Sequence, residues 1–500
     1  MYDFIAERSC DLVVAGSGSG MVAAVRAAMA GKKVIVLEKT KLVGGGMLFA
    51  STMRTFGSRW QKERDLPDVT AEFARKMLDE CYWRIEPKLV TNTLRATGEM
   101  FDWFCDLNPG VADEFFVGRY VFDDESGPLG PQYGSQHNGF GKMVVNKLYA
   151  KCPELGIDVL TEHRVVDCEV ENGKITALIA QTPDGYVRVS CRACLIATGA
   201  WVRNREITEK VCPGFFDVDM GESPHTNPAY TGDALPLMEK VGAFIDYDSF
   251  CLRLMGPLYM VKSQSYSAMS VSPYAISVNY NGRRYTSDPI IGHMDQFDAG
   301  HVSMAQPKGY VFAVFSENVL RTAFERGGGG YEIADPLFAG LKLPDTMDAV
   351  HADLDAAAAK EKACYKADTI DELAAMTGID AEGLKAEIAE YNSYCEGGMD
   401  WGFYKPADTL VPLTDGPFYA VGGFTATDGA FGGVKVNPDM QAYAKDGGTV
   451  EGLYVVGDFA SGRHINLGGI KRQFINDMNW ALAGSYIAGQ SAVDYLSSLD

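Results

Sequence analysis

Gly16, Gly18 and Gly20 alternate along the chain just after the apolar run Leu12 to Ala15, and Glu38 closes a second apolar run, Val34 to Leu37. Glycines so placed let a backbone turn tightly and approach a pyrophosphate, whose charge rests on the N-terminus of the following helix. A carboxylate at the position of Glu38 accepts hydrogen bonds from a ribose hydroxyl. Binding the ADP half of a dinucleotide is the chemistry this spacing offers. It departs from G-x-G-x-x-G, because Met21 stands where the third glycine is expected. Either the turn is one residue short, or Ala15, Ser17 and Gly20 take the three positions.

The elements that must position these residues are legible around them. Val13 and Val14 start a strand, and Ala23, Ala24, Ala27 and Ala28 give a following helix a face of small residues. Gly31 ends that helix before the second strand. This is a βαβ unit, and it sets the fold class as α/β. The other reactive pattern, Cys191-Arg-Ala-Cys194, is the sole CxxC among eleven cysteines and falls in an apolar run that reads as a buried strand. A zinc or redox role needs a turn and partner ligands there. Reduced structural thiols and no metal site are expected.

The 500 residues are 47% hydrophobic and carry a formal net charge of -21. Nucleic acids and anionic membranes reward a basic surface, so neither is an expected partner. Residues 1–8 show no basic segment leading into an apolar one, and no apolar run is long enough to span a bilayer. A cytoplasmic protein without a membrane span is expected.

Along the chain, Asp68 to about Leu107 reads as helical. Gly110 to Gly141 is rich in Gly, Pro, Asp and Tyr and reads as a long loop crossing the site. A helix over Lys142–Lys151 precedes strands at Ile157–Thr161, Val165–Glu171 and Lys174–Gln181, with turns at Asn172-Gly173 and Asp184-Gly185. Asn227 to Asp233 opens a helix running to Val241. Thr369-Ile-Asp-Glu372 is a capping box. Lys471 to Leu496 reads as one long amphipathic helix.

Taken as an ordered set, these and later motifs resemble the flavoprotein family of fumarate reductase, urocanate reductase and the ketosteroid dehydrogenases. The marks are Glu38-Lys39, Ala197-Thr198-Gly199, Thr231-Gly232-Asp233, Asn281-Gly282-Arg283-Arg284-Tyr285, Gly432 to Lys435, and Gly452 to Asp458. The resemblance covers nearly the whole chain. It implies a two-part Rossmann-like FAD-binding domain with an inserted α+β cap: residues 1–250 and 429–500 for FAD, 251–428 for the cap. The FAD would meet Gly16, Gly18, Gly20, Glu38, Lys39, Gly45, Gly46, Ala197, Thr198, Gly199, Asp233, Gly457, Asp458, Gly469 and Ile470. A helix starting near Gly469 would aim its positive end at the flavin, where negative charge arrives with hydride. Covalent members use a histidine after the second strand. Gly44–Phe49 has none, so FAD is expected to be non-covalent.

What the family implies for substrate chemistry is largely missing. Reduction of a C=C bond beside a carbonyl needs hydride at one carbon, a proton at the next and donors on the carbonyl oxygen. The family's proton-delivering arginine falls at Gly292, Thr427 replaces a histidine, and the Asn-Arg-Leu-Gly-Gly clamp becomes Asn466-Leu467-Gly468-Gly469 without its arginine. The ketosteroid enzymes' tyrosine is missing at Gly292 as well. His293, His464, Arg463 and Arg472 remain as catalytic candidates, with Lys471 beside them. Arg463 and Arg472 suit either a substrate carboxylate or internal ion pairs, and Arg284 suits a role inside the cap.

The expected function is an FAD-dependent oxidoreductase acting on a CH–CH bond conjugated to a carbonyl, as ene-reductase or reverse dehydrogenase. Its small-molecule substrate would not be fumarate and would be cyclic or steroid-like. One alternative is a carboxylate-specific enoate reductase that uses Arg463, Lys471 and Arg472. Another is a non-catalytic flavin electron-transfer subunit. No second glycine-rich βαβ unit offers itself to a nicotinamide, so the electron donor or acceptor is unidentified.

Overall fold

The computed structural model describes residues 2–50, 52–117, 122–123, 127–128, 132–135, 140–218, 227–288, 290, 296–327, 341–467, 470–473 and 477–500. The chain divides into two compact units. One comprises Met1–Val211, His225–Leu252 and Gly429–Asp500; the other comprises Cys212–Pro224 and Arg253–Asp428.

The first unit is built on a six-stranded sheet in the order Gln441–Tyr443, Thr449–Val455, Ala193–Ile196, Leu12–Ala15, Val34–Leu37, Asp158–Leu160. All neighbours run parallel except the Gln441–Tyr443 edge. Leu12–Ala15, Val34–Leu37 and Ala193–Ile196 are buried at every position, as a parallel sheet covered on both faces requires. Their unbroken apolar runs follow from that burial. The helix Gly20–Met29 returns the chain between the first two strands, and its small residues admit the long C-terminal helix Asp477–Ser498. Contact there is close: a Cβ on Gly489 would stand 3.0 Å from Ala23 Cα. Ser485 Oγ donates to Ser19 O at 2.6 Å and accepts from Ala23 N at 3.1 Å. A second sheet of Phe4–Ser9, Gly185–Ser190, Lys174–Thr182 and Arg164–Glu171 completes this unit's main framework.

The second unit holds an antiparallel sheet in the order Cys251–Leu258, Phe418–Phe431, Tyr310–Ser316, Ile276–Asn279, with Cys364–Ala367 also on Phe418–Phe431. Helices Gln264–Ser270, Met347–Ala358, Ile370–Thr377 and Ala381–Gly397 share its core with Val314, Phe315, Leu354, Leu384 and Tyr419. Both halves of the capping box form: Glu372 N donates to Thr369 Oγ1, and Thr369 N donates to Glu372 Oε2, each at 3.2 Å.

At the centre of this unit lies a cluster of fully buried charges. Arg284 meets Asp288 at 3.0 Å and Asp400 at 2.8 Å, and Lys405 donates to Ala275 O at 2.7 Å. Asp400 also accepts from the N–H groups of Gly402, Phe403 and Lys405, so it closes the loop that carries them. Burial drives the Lys405 ammonium down to about 8 despite the Asp288 charge. Arg284 therefore stands where the sequence suggested, inside this unit as a packing charge.

Three segments differ from expectation. The stretch from Asp68 forms two helices, Thr70–Glu80 and Pro87–Leu107. Tyr82 and Trp83 break it with φ of 53° each, and Pro87 starts the second helix. The long loop after Gly110 contributes Phe115–Val117 and Gln132–Ser135 to a sheet with Thr52–Arg54. Those strands take their partners from a distant segment, which local composition does not reveal. The third concerns Lys471, Arg472 and Ile470. Ile470–Gln473 is a strand antiparallel to His464–Leu467, and the helix begins only at Asp477. The helix start expected near Gly469 is thus displaced. Gly468 and Gly469 lie outside the described residues, but a Gly-Gly pair between apolar runs is itself a hairpin signal.

Candidate functional site

The carboxyl ends of the parallel strands gather Glu38, the glycine turn, Ala197–Gly199 and Gly457–Asp458 along one edge of the sheet. That edge is where open α/β sheets bind ligands. Gly16 has φ of 104°, and a Cβ on it would stand 2.2 Å from Ala197 O, so no side chain fits between these two strand ends. Gly18 packs on the carbonyl of Gly44 and Gly20 on Val14. The odd glycine spacing is therefore a tightly packed turn. Ser19 begins the helix without a side-chain cap, which leaves the helix's positive end to a ligand.

Glu38 is buried, 5% exposed, and highly bonded. Its Oε2 accepts from Ser17 N (3.2 Å) and Ser17 Oγ (2.5 Å), while Oε1 accepts from Thr40 N and Thr40 Oγ1, both at 2.9 Å. The Ser17 hydroxyl in turn accepts from Gly44 N at 2.9 Å, tying the turn to the Gly44–Phe49 segment. Four donors occupy the four acceptor positions of a carboxylate. Thr40 holds one hydroxyl hydrogen, however, and Leu42 O competes for it at 2.7 Å. When Thr40 turns to Leu42, Glu38 Oε1 has room for a ribose hydroxyl.

Lys39 and Asp233 are brought together, with a third member from far away in sequence. Lys39 Nζ donates to Asp233 Oδ2 (2.9 Å) and to Thr231 Oγ1 (2.7 Å), and Arg164 grips Asp233 through two bonds of 3.1 and 2.7 Å. Burial works to raise the Asp233 carboxyl; Arg164 and Lys39 outweigh it and hold the carboxyl below its ordinary value. The cluster ties Thr231–Asp233 to Lys39, just past the end of the second strand, and to Arg164. Gly45 and Gly46 begin a short 3-10 turn, Gly45–Phe49. A Cβ on Gly46 would fall 1.7 Å from the Tyr230 hydroxyl oxygen, and the same ring lies against Gly199. Tyr230 thus fills the space between two predicted cofactor segments.

Farther along the same edge, Gly457 stands against Ser19, and Trp480 Nε1 donates to Gly457 O at 3.0 Å. Asp458 follows, and the wholly buried Arg463 meets it at 3.3 Å and Asp477 at 2.7 Å. The Arg463 guanidinium also lies 4.3 Å over the Phe431 ring. Of the two roles the sequence left open for Arg463, this arrangement is the ion pair. His464 is 4% exposed and its Nε2 lies 2.7 Å from Ser249 O. A carbonyl there requires the proton on Nε2, which makes Nδ1 the basic nitrogen of the neutral ring. His464 and Ser249 line a cavity of about 660 Å³ with Trp83, Phe244, Lys435 and Tyr443. Lys471 and Arg472 pair across the hairpin with Asn466 and Ile465 through their backbones. His293 and Gly469 lie outside the described residues.

Thr40, Arg164, Tyr230 and Asp477, to which no local motif points, act through contacts with residues already singled out. Arg54 is another: its N–H donates to Asn479 Oδ1 at 2.8 Å, and burial lowers the pKa of its guanidinium. Nothing in the local sequence around Thr52–Arg54 marks it. Among the described residues, no group of three or more His, Cys, Asp or Glu could hold a metal ion. No helix there is long and apolar enough to cross a membrane.

The residues present fit a flavin dinucleotide. The glycine cradle admits backbone only, and Thr198 Oγ1 is buried at the strand crossing with no hydrogen-bond partner among the described residues. Comparison with known proteins agrees. Residues 11–469 match the family model described as FAD binding domain. The vinyl phenol reductase of Lactiplantibacillus plantarum is 26% identical over 478 residues, covering 91% of this chain and 90% of that protein. Among solved structures, the open conformation of a flavocytochrome c3 fumarate reductase superposes with a TM-score of 0.69 at 20% identity, covering 98% of this chain and 79% of the other. The 3-ketosteroid delta1-dehydrogenase from Sterolibacterium denitrificans gives 0.69 at 16% identity, covering 98% and 100%. The chain belongs to the FAD binding domain family and is an FAD-dependent oxidoreductase.

Proposed function

We propose that this flavoprotein reduces a C=C bond conjugated to a carbonyl or an aromatic ring in an uncharged small molecule, or runs the reverse dehydrogenation. The observation that carries this reading is the state of Arg463. A guanidinium between two carboxylates, at 2.7 and 3.3 Å, has its charge matched within the protein and is not poised for a dicarboxylate. The absence of an arginine at Gly292 and in the Asn466–Gly469 segment points the same way. So does similarity along nearly the full length of a vinyl phenol reductase.

FAD, when bound, supplies the hydride exchange. The chain's own residues hold it and manage the proton. Glu38 and the Ser19 end of the first helix bind the adenosine and pyrophosphate portions. His464, fixed by Ser249, presents Nδ1 as the group that carries a proton to or from the substrate. An acid or base at such a position contributes roughly 10²–10⁴ in rate.

Steady-state turnover with an artificial electron donor tests this, using enones, styrene-type phenols, ketosteroids and fumarate as acceptors. Turnover of neutral alkenes with no response to fumarate is expected. A second reading, an enoate reductase, has one observation in its favour: the hairpin register sets Arg472 one pair from His464. It predicts that Arg472→Ala raises KM for an enoate and leaves KM for a neutral enone unchanged.

A further inference from the structure

We infer that Arg463 is a positioning residue that sets the reduction potential of the bound flavin, by holding Asp458 and Asp477 as a compensated group beside it. The inference is independent of which alkene is reduced. It starts from the order of the sheet. Glu38, at the end of Val34–Leu37, marks the ribose of the adenosine half, and the glycine turn after Leu12–Ala15 marks the pyrophosphate. Continuing along the same edge, past Ala193–Ile196, the next strand end is that of Thr449–Val455, followed by Gly457 and Asp458. The flavin half of a dinucleotide laid across this edge would lie toward Asp458.

Asp477 is the first residue of the 22-residue C-terminal helix. A bare carboxylate there would oppose the positive helix end. Together the two carboxylates would bring negative charge close to the cofactor's redox end. Arg463 comes between them, with no side-chain exposure beyond 1%, so its charge acts in a medium of low polarity. Phe431, 4.3 Å beneath the guanidinium, fixes its plane. Removing the cation leaves two carboxylates facing a group that gains negative charge on reduction, which disfavours the reduced state. Removing one carboxylate does the opposite.

The test is the flavin midpoint potential of the FAD-loaded protein, read by equilibration with a reference dye. Arg463→Met keeps a stem over Phe431 and is expected to shift the reduced-to-oxidised ratio at fixed poise at least tenfold toward oxidised, about 30 mV lower for a two-electron couple. Arg463→Lys, keeping the charge, is expected to stay within threefold of the unaltered protein. Asp477→Asn is expected to shift the ratio toward reduced. A merely structural role predicts lost stability in all three with no opposite signs. Should Arg463→Met fail to retain FAD, Asp477→Asn decides. An unchanged or lowered potential in Asp477→Asn, or an unchanged or raised one in FAD-loaded Arg463→Met, overturns the inference.

Discussion

Replacing Glu38 by Gln tests the adenosine end of the site at one atom. The carboxylate accepts from Ser17 and Thr40 through two backbone N–H groups and two hydroxyls. An amide offers a single carbonyl oxygen, so whichever way it turns, its NH2 faces either Ser17 N–H or Thr40 N–H. Leaving a buried donor unpaired costs about 1–3 kcal/mol, and that loss falls on the protein with or without FAD. The FAD-specific part is the charge-assisted bond that Glu38 Oε1 would make to the ribose once the Thr40 hydroxyl turns to Leu42. Its loss costs about 1.5–3 kcal/mol, or about 10- to 150-fold in Kd. Titrating deflavinated protein with FAD, following the fluorescence of the free cofactor, measures it. Thr40→Val removes the competing hydroxyl and keeps the backbone donor, so its Kd should stay within about threefold. A Kd for Glu38→Gln within twofold of the unaltered protein, together with a lowered Tm, would show that Glu38 only braces the turn.

Other consequences can be checked independently. Gly16→Ala forces a side chain into a backbone with φ of 104° and against Ala197 O, and should abolish FAD retention on purification; a flavin-replete variant would contradict the strand-end packing. Arg284→Met leaves Asp288 and Asp400 without their main cation. Breaking a buried pair costs about 3–5 kcal/mol, a fall of at least about 6 °C in the transition of the unit that contains it, and calorimetry showing less than about 1 °C would refute that role. Burial pushes the thiols of Cys10 and Cys364 up to about 12 and those of Cys152 and Cys168 up to about 11. These groups keep their protons in the folded state while the unfolded chain loses them above about pH 8.5. The folded state then binds more protons than the unfolded chain, so ΔG of unfolding falls as pH rises from about 8.5 toward 11. Lys405, lowered to about 8, works oppositely, since the unfolded state holds its proton longer, but it is one group against four. Tm should drop between pH 8 and 10, and Cys10→Ala with Cys168→Ala should flatten the slope; a Tm that rises over that range refutes the assignment.

The fold was legible where local pattern and tertiary demand coincide. Apolar runs buried on both faces announced the parallel strands, and Thr369 with Glu372 announced a helix start that forms bond for bond. Ile470–Gln473 is a strand where a helix was expected, because one apolar side followed by charged residues fits a helix face or a short hairpin equally well. In the candidate site, the turn at Gly16 and the place of Glu38 at the end of the second strand were legible because both are local to one βαβ unit. The engagement of Asp233 by Arg164, 69 residues away, and of Arg463 by Asp477 could not, since ion pairs across elements leave no periodic trace. That difference matters for function, because the residue pattern left Arg463 open to a substrate carboxylate, and its partners Asp458 and Asp477 add to the missing arginines in favouring neutral substrates.

Reduction of neutral conjugated alkenes is tested most directly in a single turnover. FAD-loaded protein, reduced anaerobically without excess reductant, is mixed in a stopped-flow cell with a neutral conjugated alkene or with fumarate, and the oxidised flavin band is followed. The band is expected to return with a neutral alkene, with one saturated product formed per flavin, and not to return with fumarate. Return of the band with fumarate and none of the neutral alkenes would contradict it.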